Sequence, residues 1–104
     1  MNINTFLNKV KKAIDEGNFE ILERKENMVT KRKYGFTTLE QEEMVKQLEP
    51  KDLIRGPVLD EFIPSEDVWI FKKKYNGIKV MFYIKLKIRN NKECICLSFH
   101  EDKK

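Results

Sequence analysis

From Asp67 to the end of the chain apolar and polar residues alternate, whereas upstream they recur at helical spacing. Ile78, Val80, Phe82, Ile84, Leu86 and Ile88 occupy every second position, which marks one buried face of a strand. Met81, Tyr83, Lys85 and Lys87 then share the other face. Asn76-Gly77 is a strong hairpin signal, because a type I′ turn needs positive φ at both central positions. Pairing Tyr75 with Ile78 sets Phe71 opposite Phe82 and Trp69 opposite Ile84. Trp69 then belongs to the core, and Val68, Ile70 and Lys72 join the Tyr83 face. A second turn at Asn90-Asn91 leads into Cys94 to His100. Keeping the apolar rows on one side turns Ile95, Leu97 and Phe99 to the core. Cys94, Cys96, Ser98 and His100 then stand beside Tyr83 and Lys85, with Tyr83 opposite either Ser98 or His100.

Leu7, Val10 and Ile14, widened by Phe6 and Ala13, predict a first helix capped by Asn4 or Thr5 and ended at Gly17. Phe19 to Leu22 predicts a brief edge strand. Glu26 to Tyr34 has few apolar residues and several charges, which predicts a short exposed helix ending at Gly35. Thr38 followed by Gln41 forms a capping box for a helix carrying Leu39, Met44, Val45 and Leu48. Pro50 ends it and opens a single turn over Lys51 to Leu53. Arg55 to Ser65, with its prolines and acidic residues, reads as an irregular loop. Helices first and a three-strand meander last predict an α+β fold, its N-terminal helices packed on one face of a small antiparallel sheet. One domain spanning residues 1–104 is expected at this length.

Composition adds limits. With 40% hydrophobic residues, seven of them Phe, the chain can build one core, and the 37% charged residues must lie mostly outside it. The net charge of +4 leans towards a polyanionic partner. No run approaches the roughly 20 apolar residues of a membrane span, and Met1 to Val10 lacks a signal-peptide pattern. A cytoplasmic protein without a membrane partner is expected. Two cysteines with only His100 nearby make a poor zinc set, so they read as reduced thiols, and no metal or cofactor is expected.

The polar sheet face gathers Lys72, Tyr83, Lys85, Lys87, Ser98 and the single histidine, His100. It has two readings. One is the solvated side of a half-buried antiparallel sheet. The other is a cradle for a phosphodiester, in which lysines hold phosphate, Tyr83 stacks on a base or positions a hydroxyl, and His100 transfers a proton. RNA carries its own nucleophile, the 2′-hydroxyl, so its cleavage needs alignment, proton transfer and charge stabilisation.

Leu48-Glu49-Pro50-Lys51-Asp52-Leu53-Ile54-Arg55-Gly56-Pro57, Asp67-Val68-Trp69-Ile70-Phe71, Asn76-Gly77, Tyr83-Ile84-Lys85-Leu86-Lys87-Ile88 and Cys96-Leu97-Ser98-Phe99-His100-Glu101 occur in that order. This ordered set resembles the MqsR family of toxins, within the RelE/ParE-like group of small α+β ribonucleases. The resemblance is strongest over residues 48–101. It implies a metal-independent mRNA interferase, acting on messenger RNA free or on the ribosome and neutralised by a cognate antitoxin. It also implies a site at Arg55, Tyr83, Lys85 and His100; Lys72, Lys87 and Ser98, gathered on the same face by the alternation, are expected as supporting RNA contacts. The chain departs from the family's best-known form in two places: His100 stands where that form has Lys, and Ile70 where it has a polar amide. A non-catalytic RNA- or protein-binding module with the same fold is the alternative.

Overall fold

The computed structural model describes residues 1–102. Its first helix, α1 (Ile3–Asp15), begins earlier than Asn4: the Asn2 side chain accepts from the Thr5 N–H at 2.8 Å and caps it. Phe6, Leu7, Val10, Ala13 and Ile14 form its buried face. A short strand, β1 (Phe19–Ile21), follows, and then α2 (Lys25–Tyr34), ended by Gly35 in the left-handed region. The third helix, α3 (Thr38–Lys46), has its capping box one residue earlier than expected, between Thr37 and Glu40. Gln41 is instead buried. A 3-10 turn over Pro50–Asp52 leads into the remaining strands.

Those strands are β2 (Leu53–Leu59), β3 (Asp67–Lys74), β4 (Met81–Arg89) and β5 (Glu93–Glu101). The first part of the expected irregular loop, Arg55 to Leu59, is therefore strand, and only the connection after Leu59 remains irregular. The five strands form one sheet in the order β1-β5-β4-β3-β2. β1 runs parallel to β5 and the other pairs are antiparallel, so the sheet is mixed. The early helices and later strands make the fold α+β. Phe71, Phe82, Ile84, Leu86 and Phe99 have no solvent exposure and pack with α1 and α3 residues in the main core. Burying each such side chain stabilises the fold by about 1.5–3 kcal/mol. Trp69 joins them, stacked on Phe6 with ring centroids 4.6 Å apart.

Two features alter the expected register. The β3–β4 connection is longer than a two-residue hairpin: Lys74 pairs with Met81, Phe71 with Ile84 and Trp69 with Leu86. Ile78 and Val80 lie in this connection and still pack on the core. Only Gly77 has positive φ there, whereas Asn90 and Asn91 supply two consecutive left-handed residues at the β4–β5 turn. The second feature is a bulge in β5. Lys85 faces Ser98, but the next residue, Leu86, faces Cys96, leaving Leu97 without a direct partner. The bulge reverses the facing of β5 on its two sides. Phe99 keeps its expected core position, but Cys94 and Cys96 also belong to the helix-side core, while Ile95 and Leu97 pack with Val68 and Val58 on the opposite face. Burial pushes the Cys94 thiol up to about 12 and Cys96 well above its ordinary range, so both are held as thiols.

The second helix is not a free surface element. Asn27 is 3% exposed, and its amide donates to the Leu22 and Leu97 carbonyls, each at 3.0 Å. Its Oδ1 accepts from the Phe99 N–H at 2.9 Å. Three residues on, the Thr30 hydroxyl accepts from the Glu101 N–H. α2 thus takes over the edge of β5 where β1 ends.

At the other edge, Gly56 lets β2 approach β3 closely. Its φ is +143°, and a Cβ there would lie 3.0 Å from Trp69 Cα and 3.1 Å from the Val68 carbonyl oxygen. Gly56→Ala is therefore expected to destabilise the protein by about 1–3 kcal/mol, measured as a lower urea midpoint. An unchanged midpoint would mean that β2 shifts outward without cost.

Candidate functional site

Cross-strand pairing lays the candidate residues out in two rows on the sheet face opposite α1 and α3. Lys72, Tyr83 and His100 stand side by side on β3, β4 and β5. The neighbouring row runs from Arg55 on β2 through Ile70 and Lys85 to Ser98. Tyr83 therefore lies opposite His100, and Ser98 lies opposite Lys85. The Tyr83 and His100 rings stack with centroids 5.3 Å apart and planes inclined by 14°. Each ring restricts the other, because offset stacking is the favoured aromatic arrangement.

A backbone contact orients the imidazole. His100 Nδ1 lies 2.8 Å from the Glu101 carbonyl oxygen. A carbonyl can only accept, so Nδ1 carries a proton and donates it. Nε2 is then the nitrogen available to exchange a proton with a substrate. It lies 3.9 Å from Glu26 Oε1, across a cleft of about 390 Å³ lined by Lys25, Glu26, Val29, Thr30, His100 and Glu101.

The cations on this face differ in their partners. Among the described residues Lys85 has no ion pair, and Arg55 is exposed at its strand edge. Lys72 pairs with Asp102 at 3.0 Å. Ser98 is largely buried beneath this row. Lys87, expected among the RNA contacts, is 3% exposed. Its Nζ lies 2.7 Å from Asp60 and 2.6 Å from Glu66, beneath the β2–β3 connection. Phe62 and Ile63 N–H groups donate to the other Asp60 oxygen, at 2.8 and 3.2 Å. Arg89 completes the cluster by donating to Glu66. The Lys87 hydrogen bond, helped by the two N–H groups and opposed by burial, holds the Asp60 carboxyl down at about 2. Hydrogen bonds from Arg89 and Lys87 lower Glu66 as well. The face is thus divided between a clasped acidic loop around Lys87 and an open cationic area around Lys85 and Tyr83.

Glu26, Glu101 and Asp102 border the site without having been singled out from the sequence. Asp102 shares the alternation of Ser98 and His100, so its facing was open to inference. Glu26 reaches the site from a helix whose pattern carries no such signal. Among the described residues, no helix is long and apolar enough to cross a membrane.

Residues 4–101 match a family of toxins. That family is described as the motility quorum-sensing regulator, toxin of MqsA, and the chain belongs to it. It is therefore a toxin of a toxin–antitoxin system, and membership implies an antitoxin partner. No curated protein matches the chain.

Proposed function

We propose that the protein is an mRNA interferase, an endoribonuclease that cuts messenger RNA through the RNA's own 2′-hydroxyl and is neutralised by its antitoxin in the cytoplasm. The observation that carries this reading is the stacked Tyr83–His100 pair beside Lys85, which has no ion pair among the described residues. In the reaction, the 2′-hydroxyl oxygen bonds to the adjacent phosphorus as its proton passes to a solvent water acting as base. The bond to the 5′-oxygen breaks, and that oxygen takes up a proton, leaving a 2′,3′-cyclic phosphate. Tyr83 orients the base or the 2′-hydroxyl, and His100, protonated at Nε2, acts as general acid to the leaving oxygen. Lys85 holds the phosphate, and Arg55 reaches over the face to stabilise its developing charge. Lys72 and Ser98 support the RNA from neighbouring positions, while Lys87 serves the site indirectly by holding the adjoining loop.

Inducible expression tests this reading. Wild-type protein is expected to arrest growth and deplete messenger RNA, and Tyr83→Phe and His100→Ala are expected to abolish both effects. Folded wild-type protein that leaves RNA intact would end the enzymatic reading. If it still bound RNA with a steep salt dependence, a non-catalytic binding module would take its place.

A further inference from the structure

The facing of His100 depends on the bulge in β5. Cys96 points into the helix-side core, and strict alternation from it would carry Ser98 and His100 into that core as well. The additional residue at Leu97 reverses this, so that Phe99 enters the core and His100 reaches Tyr83. A bulge interrupts the strand's hydrogen-bond ladder, and interrupted backbone groups need other partners when buried. Here β1 has ended, and the groups on either side of the bulge, the Leu97 carbonyl and the Phe99 N–H, both bond to the Asn27 amide. One carboxamide offers the donor and the acceptor that a neighbouring strand's peptide group would have provided. The same helix continues the substitution at Thr30, which accepts from the Glu101 N–H. The carbonyl of Glu101 in turn receives the His100 Nδ1 proton. A continuous set of bonds therefore runs from α2 through the bulged strand to the imidazole.

We propose that Asn27 is a positioning residue for the nuclease site: it stabilises the β5 bulge in the form that turns His100 towards Tyr83. The inference rests on the endoribonuclease reading for its catalytic consequence, but not for its structural one. Asn27 touches neither substrate nor reacting atoms in this account. Its effect on the reaction passes through the strand.

The test uses the purified full chain. In the wild type, nuclear Overhauser contacts between the Tyr83 and His100 rings are expected, and the Phe99 amide should exchange with deuterium as slowly as core amides. In Asn27→Ala the ring contacts are expected to vanish. RNA cleavage should fall roughly 100-fold in kcat, with a much smaller change in KM, as for a displaced catalytic group. A folded Asn27→Ala protein with intact ring contacts and unchanged kcat overturns the proposal. Should that variant not fold, the wild-type Phe99 amide still decides: rapid exchange there means that no clamp exists. If wild-type protein cleaves no RNA, the nuclease reading falls, while the ring contacts and amide exchange continue to judge the role of Asn27.

Discussion

Replacing Lys87 by Met is expected to lower folding stability by about 3–5 kcal/mol, the cost of leaving a buried carboxylate without its cation. Methionine preserves length and most of the volume, so packing is not the main loss. What disappears is the charge between Asp60 and Glu66. Asp60 keeps its two backbone donors but, 4% exposed, loses the ammonium group that offsets its charge. The double variant Lys87→Met/Asp60→Asn should regain much of the loss, because it no longer buries the unpaired charge. Urea unfolding of the three proteins measures both effects; a single variant within about 1 kcal/mol of wild type would mean that the loop opens freely to water. Acid gives a parallel measure. The Asp60 carboxyl drops from an ordinary 3.8 to about 2 on folding, so its stabilising contribution is present above about pH 4. That contribution, about 2 kcal/mol, is lost as the pH falls towards 2. Wild type should weaken over that interval, and Lys87→Met should lack this component.

His100→Ala is expected to slow RNA cleavage by purified protein roughly 10²–10⁴-fold, the range for removing a positioned acid or base. The change also removes the ring that stacks on Tyr83, so Tyr83 loses a restraint together with the proposed proton donor. His100→Lys separates these contributions. It restores a cation at the position and the residue found in the family's best-known form, but it supplies a point charge rather than a planar ring. RNA binding is expected to survive in His100→Lys, with cleavage intermediate between alanine and wild type. Wild-type cleavage rates in His100→Ala would move the chemistry to another part of the face.

The central part of this arrangement was legible because one strand had a decisive pattern. From Phe82 to Ile88 the even positions are apolar and the odd ones polar, so the facing of Tyr83 and Lys85 followed directly. The last strand offered no comparable contrast. Cys94-Ile95-Cys96-Leu97 is apolar in both phases, and either row could have filled the core. The bulge was hidden by that ambiguity, although His100 itself was assigned to the correct face. β2 was obscured by Gly56-Pro57, which resembles a loop signal and yet accommodates a close strand crossing. Lys87 reads like Lys85 in local sequence. Its burial depends on Asp60, 27 positions earlier, folding over it. Asn27 and Thr30 likewise looked like ordinary polar residues of a charged helix. Their role depends on the end of β1 and the course of β5, neither of which local periodicity records.

The Phe6–Trp69 stack gives the molecule an optical handle. Trp69 is the only tryptophan, 4% exposed, and it lies between α1 and the sheet. Its emission therefore reports whether the first helix is docked, since departure of Phe6 would open the indole to water and shift its fluorescence to the red. Its side chain also projects from the sheet surface opposite Tyr83 and His100. A ligand bound on the basic surface and a helix detaching from the other can thus be followed separately in the same sample, the first by the tyrosine–histidine pair and the second by the indole.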